Sequence, residues 1–185
     1  MGSASCEPGP VCARMGGEQP ASAEPLSSNP LERMKASAVL SLCGKYRYEL
    51  CRAWDTKPAV LFIGLNPSTA DATQEDNTSR VCINYAKNWG FGTLLVGNLF
   101  AFRSTDPTTL RTEKDPIGPE NDKYLRELQS KVSLVICAWG NLGALLKRDE
   151  QVLRFLNAPH CLVKLKSGRP GHPLYKSASL HPIPL

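Results

Sequence analysis

After residue 34 the chain is organised by four apolar runs separated by stretches with helical spacing. Ala59-Val60-Leu61-Phe62-Ile63-Gly64-Leu65 is continuous and closes on Asn66-Pro67. Thr93 to Leu99, Val132 to Ala138 and His160 to Leu165 have the same character. Apolar runs without polar alternation fit strands buried on both faces. Lys45-Tyr46-Arg47-Tyr48-Glu49-Leu50 alternates instead, as a half-buried strand does.

Between the runs the period changes. Cys82, Tyr85, Ala86 and Trp89 share one face of a helix predicted over 77–89, with Asn77 or Thr78 as its cap and Gly90 to end it. Pro119-Glu120-Asn121-Asp122 opens a second helix, with proline near the first turn and acids at the positive end of the dipole. Tyr124, Leu125 and Leu128 supply its apolar side. A third helical region covers about 141–157, with a break near Arg148-Asp149. Phe102 to Pro119 reads as a long loop with three prolines, and Ser167 to Pro173 as a Gly/Pro loop.

Strands alternating with helices imply βαβ units with right-handed crossovers. The expected fold is therefore α/β: three layers, α/β/α, around a central, mostly parallel sheet of about four or five strands. In open sheets of this kind ligands bind beyond the carboxyl ends of the strands. That rule delivers Asn66-Pro67-Ser68-Thr69 from the first run, and Asn98 then Arg103 from the second. It delivers Trp139 and Asn141 from the third, and Arg169 and His172 from the fourth. These groups are expected on one polar rim.

Composition changes the picture at the N-terminus. Residues 1–33 are rich in Gly, Pro, Ser, Ala and Glu and nearly lack large apolar side chains. Such a segment buries too little surface to offset its ordering entropy. A disordered extension over residues 1–35 and one domain over 36–185 follow, with Met34 an alternative start. No apolar run approaches the ~18 residues of a membrane span, and no signal-peptide pattern is present. Seven cysteines, an odd number without zinc-knuckle or redox spacing, fit reduced thiols. Cys82 and Cys137 read as small buried hydrophobes. The expectation is an intracellular protein, cytoplasmic or nuclear, without membrane contact, metal or cofactor.

Charge adds a candidate partner. The net +5 divides into −2 over residues 1–33 and +7 over the rest. Beyond Glu150 there is no acid, while Arg154, Lys164, Lys166, Arg169 and Lys176 accompany His160, His172 and His181. A basic, acid-free end suits nucleic acid or a nucleotide; a solvated surface with excess lysine is the plainer reading.

Several groups carry candidate chemistry. In Gly64-Leu65-Asn66-Pro67-Ser68, glycine lets a ligand approach the backbone, and the Asn66 carboxamide could hold a water for attack. An ordinary strand-ending turn would use the same residues. One of Asp71, Glu75 and Asp76 could be a general base or a metal ligand; helix capping is the favoured reading for Asp76, and Asp71 stays open. Asn98 closes an apolar strand, where an amide costs free energy unless it is paired. His172 could meet a phosphate or a base carbonyl, or donate a proton. Phe102 is the stacking candidate, while Trp89 reads as core. There is no P-loop, dinucleotide fingerprint or serine elbow.

Two resemblances follow from these residues. Tyr46-Arg47-Tyr48, Leu65-Asn66-Pro67-Ser68-Thr69-Ala70-Asp71, Asn98-Leu99-Phe100-Ala101, Asp115-Pro116-Ile117-Gly118-Pro119-Glu120-Asn121, Ala138-Trp139-Gly140 and His172-Pro173-Leu174-Tyr175 occur in order. This set resembles the bacterial and phage family called domain of unknown function 1643, a name without an activity. Separately, Gly64-Leu65-Asn66-Pro67-Ser68 is similar to the first motif of the uracil-DNA glycosylase superfamily, whose mismatch-specific branch has Gly-x-Asn-Pro-Gly. Thr93 to Asn98 resembles its second strand and His172-Pro173 its second motif. Ser68 and Leu174 depart from the usual glycine and serine, and no acid stands where the most active branch activates water.

The second resemblance implies a uracil-DNA glycosylase-like fold and hydrolysis of the N-glycosidic bond of a modified or damaged base. Asn66 would hold the water, Asn98 would read the base edge, and His172 would meet the base carbonyl. Gly64, Leu65, Pro67, Ser68, Phe102, Arg103, Trp139, Asn141 and Pro173 would complete the pocket. Lys164, Lys166, Arg169 and Lys176 would contact phosphates. Two alternatives stand beside it: a non-catalytic module recognising a nucleobase or nucleotide, and a hydrolase of a small nucleotide or nucleoside with Asp71 as base.

Overall fold

The structure, a computed structural model, describes residues 34–68 and 76–185. The expectations for the N-terminal extension and for Asp71 and Glu75 lie outside the described residues. Among the described residues seven strands form one sheet in the order β1-β2-β4-β3-β5-β6-β7. They are β1 Lys35–Leu40, β2 Arg47–Ala53, β3 Ala59–Gly64, β4 Thr93–Asn98, β5 Leu134–Cys137, β6 His160–Cys161 and β7 Ile183–Pro184. The helices are α1 Asn77–Asn88, α2 Asn121–Ser130 and α3 Arg148–Leu153.

The four apolar runs are the four parallel neighbours β4-β3-β5-β6. Antiparallel pairs flank them, β1 with β2, β2 with β4 and β6 with β7. The sheet is thus mixed, with more strands than expected. The two missed strands lie on its edges. β1 carries small residues with a half-exposed pattern, and β7 contains Pro184, which only an edge tolerates. Neither has a two-sided apolar run to announce it.

β3 shows why its run is unbroken. Val60 and Phe62 enter a cluster with Cys82, Tyr85 and Ala86 of α1. Leu61 and Ile63 enter another with Leu125 and Leu128 of α2 and Val152 of α3. Both faces are buried, so alternation would place polar groups in a core. Each such side chain contributes roughly 1.5–3 kcal/mol on burial. Trp89 packs on Phe62 and Tyr85, as its helical face predicts.

Some boundaries shift. The cap of α1 is Asp76, whose side chain accepts from Ser79 N, in place of Asn77 or Thr78. The third helical region is a 3-10 helix over Asn141–Lys147, then α3; Leu146 and Lys147 adopt positive φ at the break. The long loop holds a 3-10 helix, Pro107–Arg111, started by Asp106. The fourth run keeps strand geometry only at His160–Cys161, and a bridge between Lys164 and Pro170 closes the loop beyond it. No helix among the described residues is long and apolar enough to cross a membrane.

Candidate functional site

Register levels the parallel strands: Gly64 lies opposite Asn98, Ile63 opposite Cys137 and Cys137 opposite Cys161. Their carboxyl ends and the loops that follow border a cavity of about 260 Å³. Gly64, Leu65, Asn66 and Ser68 reach it from β3, and Asn98 from β4. Trp139 reaches it from β5, and His172 and Pro173 from the loop after β6.

Asn98 lies across the end of β3 because residue 64 is glycine. A Cβ at Gly64 would stand 2.9 Å from Asn98 Oδ1. Asn98 is 4% exposed, and its Nδ2 has no hydrogen-bond partner among the described residues. Trp139, 2% exposed, is in the same condition at Nε1. A buried donor left unanswered costs about 1–3 kcal/mol. Both residues line the cavity, while these two nitrogens are themselves covered by protein atoms.

The backbone under Asn98 is fixed from behind. Asn121, fully buried at the start of α2, donates from Nδ2 to the carbonyls of Asn98 at 3.0 Å and Leu99 at 2.9 Å. Arg148, 1% exposed, donates from Nε to Leu99 O at 2.8 Å and pairs with Asp122 through Nη2. The chain leaving β4 is then strapped to the 115–121 segment, with Ala101 N donating to Ile117 O and Phe102 N to Pro116 O. Two of the motifs singled out in the sequence are one structural unit.

Asn66 spends its donors on structure. Nδ2 donates to Pro67 O at 3.1 Å and to Ser104 O at 2.8 Å. That ties the loop carrying Ser104 and Thr105 to the cavity wall, and it leaves Oδ1 as the atom able to accept from a water. His172 Nδ1 accepts from Leu174 N at 3.3 Å, so in the neutral ring the proton sits on Nε2. Although the residue as a whole is exposed, partial burial of the ring pushes its pKa below the ordinary 6.5, against the opposing pull of Asp76. Near neutral pH His172 is a neutral N–H donor.

Charge also enters the cavity. Arg47, 4% exposed, and Asp76 both line it, with hydroxyls of Ser68, Thr78, Ser79, Ser104 and Thr105 around them. Burial would raise the Asp76 carboxyl; hydrogen bonds from Ser68 and Ser79 and the charge of Arg47 outweigh it and hold it below its ordinary value. Among the described residues no group of three or more His, Cys, Asp or Glu could hold a metal.

The profile of the family described as "Protein of unknown function (DUF1643)" matches residues 47–174. The chain belongs to this family. No curated protein and no solved structure matches it. The DUF1643 stretch contains every cavity-lining residue, from Arg47 to Pro173.

Other expected site residues of the DUF1643 domain lie elsewhere. Pro67 is buried, and its carbonyl accepts from Asn66 and Ser104. The Phe102 ring packs by Tyr46 and Tyr48 with Lys45 Nζ 5.6 Å from its centroid; Phe62 and Trp139 are the aromatic walls instead. Arg103 donates to Gly44 O at 3.2 Å. Asn141 accepts from Ser167 Oγ at 2.6 Å and braces the loop after β6. Arg169 Nε is bonded to Asp149 at 2.7 Å, while Lys164, Lys166 and Lys176 are exposed and do not line the cavity.

Sequence reasoning missed Arg47, Phe62, Ser104 and Thr105 as lining residues, and favoured capping over chemistry for Asp76. Alternation in β2 already gave Arg47 a place, and nothing local marks a loop hydroxyl as cavity-facing. Asp76 carried a signal, since it is an acid at the first turn beside the motif after β3.

Proposed function

We propose that this protein takes one nucleobase, turned out of a nucleic acid strand, into the cavity and hydrolyses its N-glycosidic bond. Similarity to the uracil-DNA glycosylase superfamily, including a three-layer α/β/α arrangement, is part of this proposal. Its main support is the meeting of Asn66, Asn98, Trp139 and His172, from four chain segments, in one cavity. Turning a base out costs a few kcal/mol of unstacking, least for a damaged or mispaired base. The His172 Nε2–H donor, with the Asn98 carboxamide in the same lining, suits a base edge that carries carbonyl oxygens.

In this reading Asn66 Oδ1 holds the attacking water and Asn98 reads the base. His172 Nε2–H meets a base carbonyl and stabilises negative charge as the base leaves, and Phe62 and Trp139 form apolar walls. A hydrogen bond aimed at developing charge in a water-poor site is worth a few kcal/mol, or about two to three decades in rate. Lys164, Lys166 and Lys176 would meet phosphates at the rim.

The test incubates the full chain with single- and double-stranded oligonucleotides carrying uracil, hypoxanthine, mismatches or alkylated bases and scores abasic sites. Carbonyl-rich bases should be released, and Asn66→Ala and His172→Ala should each lower the rate roughly 100-fold or more. Binding that survives without abasic sites on any substrate would favour a non-catalytic recognition module.

A second reading, hydrolysis of a free nucleotide or nucleoside, has one observation in its favour. Arg47 lines the cavity, whereas Lys164, Lys166 and Lys176 do not. Release of base from nucleoside monophosphates, with none from oligonucleotides, would support it.

A further inference from the structure

We propose that Asp76 is a catalytic residue of this site, an ionised carboxylate that stabilises positive charge at the sugar's anomeric carbon while the glycosidic bond breaks. The inference rests on the glycosidic-bond reading above. It supplies the acid that the motif after β3 lacks.

Three observations carry it. Asp76 is the one carboxylate among the described residues that line the cavity, which it shares with Asn66 and His172. Its two oxygens are held by separate donors: Oδ1 accepts from Ser79 N at 2.7 Å, and Oδ2 accepts from Ser68 Oγ. Ser68 belongs to the loop after β3 and Ser79 to α1, so the carboxylate is fixed between two cavity walls. The group also stays ionised, because the bonds from Ser68 and Ser79 and the charge of Arg47 outweigh its burial.

Capping accounts for the position but not for the charge. Asn, Ser and Asp cap helices about equally well. The α1 dipole favours an anion, and the bonds from Ser68 and Ser79 with the charge of Arg47 answer the cost of its burial, so the charge is kept available at the cavity. Glycoside hydrolysis passes through a species with oxocarbenium character, and a nearby carboxylate stabilises it. Here the C1′–N bond breaks and its electron pair leaves on the base, whose carbonyl oxygen meets His172 Nε2–H. The oxygen of the water at Asn66 Oδ1 bonds to C1′. The proton lost by that water passes to the departing base, so glycoside and water become sugar hydroxyl and free base. Asp76 exchanges no proton; it acts through its charge.

Asp76→Asn separates the two roles, because it keeps a capping side chain and removes the charge. Its melting temperature should fall by no more than a few degrees, because the Ser68 bond and the charge beside Arg47 are lost, while abasic-site formation falls roughly 100-fold. Two oligonucleotides, one with a cationic pyrrolidine and one with an uncharged tetrahydrofuran in place of the sugar, give a readout independent of turnover. The parent chain should bind the cation at least about tenfold more tightly, and Asp76→Asn should lose that preference alone. Asp76→Ser, a second capping variant, should behave like Asp76→Asn. Unchanged turnover in Asp76→Asn, or equal or absent binding of the two probes by the parent chain, would overturn the assignment. If the parent chain forms no abasic sites, the function proposed above fails. A cation preference abolished in Asp76→Asn would then still sustain the role of the carboxylate.

Discussion

Gly143 matters to the cavity as much as the side chains that line it. A Cβ there would stand 2.2 Å from Trp139 Cδ1 and 2.8 Å from Nε1, so any larger residue must push the indole. Gly143→Ala is expected to shift tryptophan fluorescence and to weaken base binding about tenfold, near 1.4 kcal/mol; unchanged emission and affinity would refute this account of the wall. His172 gives a pH prediction with a definite sign. Its pKa lies below 6.5, so acidification through that lower value protonates Nδ1 and removes the acceptor of Leu174 N–H. Base release should fall on the acid side, and that limb should vanish in His172→Gln. Stability should move the same way. Just below pH 6.5 the unfolded chain binds more protons at this residue than the folded one, so stability drops as pH falls through that window. At this scale Asn66, Asn98 and His172 were legible because each is polar where an apolar strand ends or a basic loop begins. Arg47 was not, because a charged residue in an alternating strand already looks accounted for.

The elements that carry chemistry are also the ones the sequence announces most clearly. Buried parallel strands need unbroken apolar runs, and four such runs became the four parallel neighbours whose carboxyl ends border the cavity. The edges were illegible for the converse reason, since half-exposed β1 and two-residue β7 carry no two-sided burial. Between these extremes lies the start of α2. Pro119 to Asp122 was readable as a helix opening, but not as the brace of β4, because that role depends on contacts across the fold. Asn121→Ala removes a donor from two carbonyls; Arg148 still serves Leu99 O, so the cost, roughly 1–3 kcal/mol, falls on Asn98 O. Arg148→Met should cost less, because Asn121 still answers Leu99 O and the Asp122 side chain, 52% exposed, can rehydrate. Urea unfolding measures both, and the reverse order would refute the brace. In Asn121→Ala the side-chain amide resonances of Asn98 should also shift, which ties the brace to the cavity.

Across the whole molecule, the exposed lysines after Glu150 and the cavity are separate features, and that separation sets the most decisive solution experiment. The basic excess after Glu150 was visible in composition, but only the fold divides it. Arg169 is committed to Asp149, while Lys164, Lys166 and Lys176 are exposed and do not line the cavity. A strand that lays its backbone on those lysines while one base enters the cavity must release counterions. The logarithm of its affinity should then fall linearly with the logarithm of salt concentration, by about 0.7 per phosphate contacted for a single strand. Replacing Lys164, Lys166 and Lys176 together by Gln should reduce that slope by roughly 2, whereas Arg169→Gln should change it by less than about 0.7. Base preference should survive the triple change, because the groups that read the base lie in the cavity. An unchanged slope in the triple variant would remove the lysines from the interface. With no polymer footprint left to set against Arg47 in the cavity wall, a free nucleotide would become the better ligand.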